Sequence, residues 1–145
     1  MDNYEWLGLA LAKEGELTEI RHETKRCIAS DRHRIHIAKG GTDRVGGPNI
    51  PITFYENLKY SPIEVEDWLA APDYKGKKVL EHFWEGITVN KQYMDEAMSG
   101  IEGEVFMGVS EPVSEAGHVV LHITGAEDTR VAFVGTILRD DVKKP

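Results

Sequence analysis

The stretch that most constrains this chain is Glu104 to Asp140, because its residues alternate in a way that leaves apolar side chains on both faces. In an extended backbone Val119, Leu121 and Ile123 point one way, while His118, Val120, His122 and Thr124 point the other. After the turn-like Gly125-Ala126-Glu127-Asp128, Val131, Phe133 and Ile137 share one face. Ala132, Val134, Thr136 and Leu138 share the opposite one. A hairpin that is apolar on both sides has to be covered on both sides, which predicts the centre of a sheet.

Upstream, Asp2 or Asn3 is placed to cap a short first helix carrying Trp6, Leu7, Ala10 and Leu11. Leu17, Ile20, Thr24, Cys27 and Ile28 recur at helical spacing, which predicts a second helix over 16–29 and hence an N-terminal helical hairpin. Arg32 to Lys39 alternates like a strand, with Ile35 and Ile37 inward. Gly40 to Pro51 packs four glycines and two prolines into twelve residues, so it reads as a long loop with amides free to cradle an anion beside Arg44. Neither phosphate-binding glycine template is matched there.

Ile52–Tyr55 reads as a short strand, and Ser61-Pro62-Ile63-Glu64 as a capped helix start. Val79, Leu80, Phe83 and Trp84 are spaced for a helix over 77–85, and Tyr93, Met94, Ala97 and Met98 for another near 91–98. No internal repeat is visible. The expected architecture is one α+β domain over 1–145: an N-terminal helical hairpin, central helices, and a mainly antiparallel sheet centred on the C-terminal β-hairpin.

Charge narrows the partners. The chain carries a net charge of −8, which opposes general binding to nucleic acid. Residues 21–44 nevertheless hold seven Lys/Arg against three acids. Such polarity suits an acidic protein partner, or head-to-tail contact between copies, with Arg32, Arg34, Lys39 and Arg44 as the contact cations. No apolar run approaches the roughly 20 residues a membrane span requires. The acidic N-terminus is the reverse of a secretory leader. The expected location is the cytoplasm or an assembled particle. The single cysteine, Cys27, is expected to be a buried thiol.

The chemistry-bearing residues are mainly histidines. Ile35-His36-Ile37-Ala38 and Leu121-His122-Ile123-Thr124 each set a histidine on a strand, two residues before a small side chain on the same face. This resembles the paired His-x-Thr/Ser signature of the 2H phosphoesterase family. The resemblance implies His36 and His122 as a general acid/base pair on a phosphodiester, with Thr124 holding phosphate. Ala38 departs from it, standing where the first hydroxyl belongs. His118 and His122, four apart on a strand, lie roughly 13 Å apart at Cα and cannot share a zinc. No metal and no cofactor is expected. The reading that joins these features is a non-catalytic structural or interaction subunit of a larger assembly, a viral head or tail accessory protein being one example. A phosphodiesterase using His36 and His122 is the first alternative. A small-ligand-binding or inhibitory protein, with its ligand in the aromatic and methionine-lined middle, is the second.

Overall fold

The computed structural model describes residues 1–74, 76–80 and 87–137, and the fold is α+β with a mainly antiparallel seven-stranded sheet. Helix α1 (Asn3–Gly8) starts where Asp2 accepts the Glu5 N–H at 2.8 Å, so Asp2 and not Asn3 is the cap. A 3-10 turn (Glu16–Thr18) leads into strands β1 (Arg21–His22), β2 (Arg26–Ser30) and β3 (Arg34–Lys39). Helix α2 (Ile52–Glu56), strand β4 (Tyr60–Ile63) and helix α3 (Val65–Ala70) follow. Then come β5 (Asp73–Tyr74), β6 (Lys77–Leu80), β7 (Ile87–Asn90), α4 (Lys91–Ser99), β8 (Val105–Ser110), β9 (Val120–Gly125) and β10 (Arg130–Gly135).

The large sheet runs β1-β2-β3-β10-β9-β8-β4, and β5-β6-β7 form a small one. With β4 at the far edge set aside, the order is mirrored about the β3–β10 seam. A helix followed by three strands (α1, β1–β3) meets a second helix followed by three strands (α4, β8–β10). Helix α1 packs on β2 and β3, and α4 on β9 and β10, both against the same face of the sheet. Strand β9 pairs with β10 antiparallel, Leu121 opposite Val134 and His122 opposite Phe133.

Two cores follow from the alternation. Under the helices lie Trp6, Leu7, Met94, Leu121, Ile123, Ala132 and Val134. On the other face Ile28, Ile35, Ile37, Val120 and Phe133 gather with Ile50 and Ile52. Trp6 is the anchor of the first core: it is fully buried, donates its indole N–H to the Ala97 carbonyl at 3.0 Å, and meets the Arg130 guanidinium over its ring.

Four expectations are corrected. The helix over 16–29 is absent; a 3-10 turn, β1 and the start of β2 lie in that span instead. Cys27 and Ala29 face one core and Ile28 the other, so a strand buried on both faces gives an unbroken apolar run that imitates a helical stripe. Residues 52–56 are helical, not extended, because the chain enters from Pro51 and folds back with the Asn57 N–H donated to the Thr53 carbonyl. Pro62 lies in β4, not in a first helical turn: on an edge strand its missing N–H costs nothing. Helix α3 instead begins at Val65. Lys77–Leu80 is a strand paired on both sides, its Lys78 ammonium donating to the Trp68 and Leu69 carbonyls at the end of α3. Phe83, Trp84 and Leu138 lie outside the described residues.

Both ends of the large sheet are blunt. His22 in β1 exchanges hydrogen bonds with Gly46 at 2.7 and 2.9 Å, which seals that edge with the glycine-rich loop. At the other edge Pro62 removes a donor from a strand of four residues. Association by strand addition is disfavoured at either end.

Candidate functional site

His36 and His122 do not meet. His36 sits opposite Ala132 across the β3–β10 ladder, and His122 sits opposite Phe133 across β10–β9. Directly opposed residues share a face. Ala132 belongs to the core under the helices and Phe133 to the core on the far side. The two imidazoles are therefore on opposite sides of the sheet and cannot flank one phosphate. That removes the acid/base pair on which the phosphoesterase resemblance depended.

Each histidine has a structural setting of its own. His36 is fully buried, stacked on Trp6 with ring centroids 4.1 Å apart, its Nδ1 2.9 Å from the Trp6 carbonyl. Burial holds its pKa down at about 4 against the pull of the Trp6 carbonyl, so it is neutral at pH 7. His122 packs between Tyr60 and Phe133 at 5.1 and 5.2 Å, and burial lowers its pKa as well. The Thr124 hydroxyl is spent locally on the Arg130 carbonyl at 3.1 Å and the Asp128 carboxylate at 3.3 Å. Ser114 and His118 are also in contact, Oγ to Nδ1 at 2.8 Å. The same Oγ accepts the His118 backbone N–H, so the pair closes its own turn.

The four expected contact cations divide. Arg34 is 7% exposed and fully committed: to Asp31 at 3.1 Å, to Glu96 at 2.9 Å, to the Leu9 carbonyl, and over the Tyr93 ring. Lys39 pairs with Asp128 at 2.9 Å, and that ammonium holds the Asp128 carboxyl below its usual range. Arg26, another base of the same segment, pairs with Glu23 and Glu56. Arg32 and Arg44 remain exposed with no carboxylate partner among the described residues. Most of the basic segment is thus neutralised within the fold, and Arg34 is a structural residue, not a contact.

The loop around Arg44 is closely fitted to its neighbours. A Cβ at Gly41 would come within 2.0 Å of the Thr24 carbonyl oxygen, and one at Gly47 (φ +115°) within 2.6 Å of the Ile20 carbonyl oxygen. The Gly46 amide is consumed by His22. This loop is an edge seal, and its bonded Gly46 amide is not available to an anion. Cys27 is buried with its thiol pushed up by desolvation, near His22 Nδ1 at 3.5 Å. No cluster of three metal-ligating side chains occurs among the described residues.

A groove of about 700 Å³ runs along the second sheet face and reaches the start of α4, where Asn90 and Tyr93 join its lining. Its walls come from Leu17, Ile35, Ile50, Tyr55, Val120 and Phe133, so its floor is continuous with the second core. Phe54 stands at its side, 53% exposed. Arg32, His33 and His118 lie along the lining, with Glu16 the acid that joins them outside the Arg34 network. The groove is absent from the sequence-based expectations because its walls come from five separated segments. The available signal was the second apolar face of β3, β9 and β10, which among the described helices only the five-residue α2 covers, through Ile52. No protein-family model, curated protein or solved structure matches this chain.

Proposed function

We propose that this chain is a non-catalytic interaction subunit of a larger assembly, which holds an acidic segment of a partner protein in the groove on its second sheet face. The observation that supports this is the groove itself: an apolar, aromatic floor joined to a rim whose Arg32 has no carboxylate partner among the described residues. A concave site with an apolar floor and a few polar groups on its rim is the usual form of a binding site. The floor suits a large aliphatic or aromatic anchor. Arg32 on the rim favours carboxylates next to that anchor, and steers them at low salt. The blunt edges of the large sheet disfavour strand addition there. A groove of this volume also lies within the range that takes a small apolar ligand, which is the second reading.

Selection from a random dodecapeptide display library against the intact protein tests the proposal. Enriched sequences are expected to place a large apolar residue beside Asp or Glu. Phe54→Ala should weaken a selected peptide about tenfold, the effect of losing one contact of about 1.4 kcal/mol. Because Phe54 is half exposed, the fold should change by less than about 0.5 kcal/mol. Arg32→Glu should lower affinity and flatten its salt dependence. Failure to enrich any sequence, or equal binding to Phe54→Ala, would count against the groove. Thermal stabilisation by apolar metabolites without peptide binding would favour the second reading.

A further inference from the structure

We propose that His36 and Trp6 form an acid-released latch that holds the N-terminal helix on the sheet. The hydrogen-bond chemistry is one-sided. The Trp6 carbonyl can only accept, so the His36 Nδ1 at 2.9 Å carries the proton and donates it. His36 Nε2 is then a bare lone pair, buried, with no hydrogen-bond partner among the described residues. Charging the ring puts a second N–H at Nε2 where none of the described residues accepts it. The cost of an unpaired buried donor falls on the contact that fixes α1.

The surroundings offer the charged ring little relief. Neighbouring strands set Ala29 and Ala132 directly opposite it. From β3 itself comes the Arg34 guanidinium, which repels a charged ring, and from β10 comes Arg130 over Trp6. Asp31 attracts it, but Arg34 already engages Asp31 and, on α4, Glu96. Helix α1 has only six residues, too short to persist once undocked. Its other ties are the Trp6 indole to the Ala97 carbonyl, Arg34 to the Leu9 carbonyl, and Arg130 to Met1 and Asn3.

The sign is fixed by which state binds the proton. An undocked His36 returns to an ordinary imidazole near pH 6.5, while the docked one resists protonation down to about 4. Docking is therefore complete above about pH 6.5 and weakens as pH falls from there towards 4. Hydrogen exchange of the intact protein, corrected for the intrinsic pH dependence, is the readout. Protection of the Trp6 indole and the α1 amides should drop by about 100-fold between pH 7 and pH 4.5, while the amides of β9 and β10 keep theirs. His36→Phe, which can stack on Trp6 but cannot be charged, should remove that pH dependence; the Trp6 carbonyl keeps the Leu9 N–H as a partner at 3.3 Å. An equal drop in the variant, or no drop in the wild type, overturns the latch. Should the variant fail to fold, the His36 Cε1–H resonance of the wild type decides: it should stay flat from pH 7 to pH 5, and an ordinary titration there overturns the proposal.

Discussion

Replacing Gly100 with alanine should cost this protein about 3 kcal/mol or more and lower its melting temperature by roughly 10 °C. A Cβ at residue 100 would lie 2.2 Å from Trp6 Cδ1 and 2.5 Å from its Nε1. The indole has nowhere to yield, being fully buried, stacked on His36, and hydrogen-bonded to Ala97. Either the end of α4 moves or Trp6 leaves its slot, and overpacking or loss of a buried tryptophan is among the larger single-residue effects. Urea denaturation of Gly100→Ala gives the number. Gly8→Ala is the control: a Cβ there meets nothing within 4 Å, so it should be neutral or slightly stabilising. Trp6→Ala alone should be strongly destabilising, and the double variant should cost much less than the sum of the two, because both act on one contact.

Arg34→Met should destabilise by about 3 kcal/mol, more than removing any exposed cation of the same segment. Its guanidinium joins Asp31 on the preceding turn, Glu96 on α4 and the Leu9 carbonyl beyond α1. Truncation strands two largely buried carboxylates and one carbonyl at once. Lys39→Met removes an ion pair whose partners are more than half exposed, at 56% and 60%, so its effect should stay below about 1 kcal/mol. The ordering of these two variants in chemical denaturation separates a structural Arg34 from a contact Arg34. Equal small losses would return Arg34 to the list of surface cations.

The parts of the fold legible in the sequence were those whose pattern has one solution. The alternation through Val119–Thr124 and Val131–Val134 assigned side chains to the two faces as the structure has them, and α4 starts at Lys91 as its spacing indicated. The Asp2 cap was readable for the same reason. Segment 16–29 was misread because β2, buried on both faces, loses its alternation and imitates a helical stripe, and 77–80 because its pairing with β5 and β7 is not contained in local pattern. Pro62 was ambiguous: one residue type suits both a first helical turn and an edge strand, and only the ladder to β8 decides.

The candidate site was less legible still. His36 and His122 look equivalent in sequence, yet the register across β3, β10 and β9 places them on opposite faces. Strand register is set by pairing over nearly a hundred residues of chain, which local pattern does not contain. The charge imbalance of residues 21–44 was visible, but its neutralisation by Glu56, Glu96 and Asp128 depends on the same long-range pairing. The mirror order of α1–β3 and α4–β10 left no repeat in the residues, because each half needs only compatible alternation.

The most direct test of groove docking is methyl NMR of the isoleucines during titration with a library-selected peptide. Ile35 and Ile50 line the groove, whereas Ile63 and Ile123 lie in the core under the helices. Docking in the groove predicts saturable shifts at Ile35 and Ile50, little movement at Ile63 and Ile123, and half-saturation at about tenfold higher peptide concentration in Phe54→Ala. Shifts confined to the helical side, or unaffected by Phe54→Ala, would contradict it and move the contact surface elsewhere.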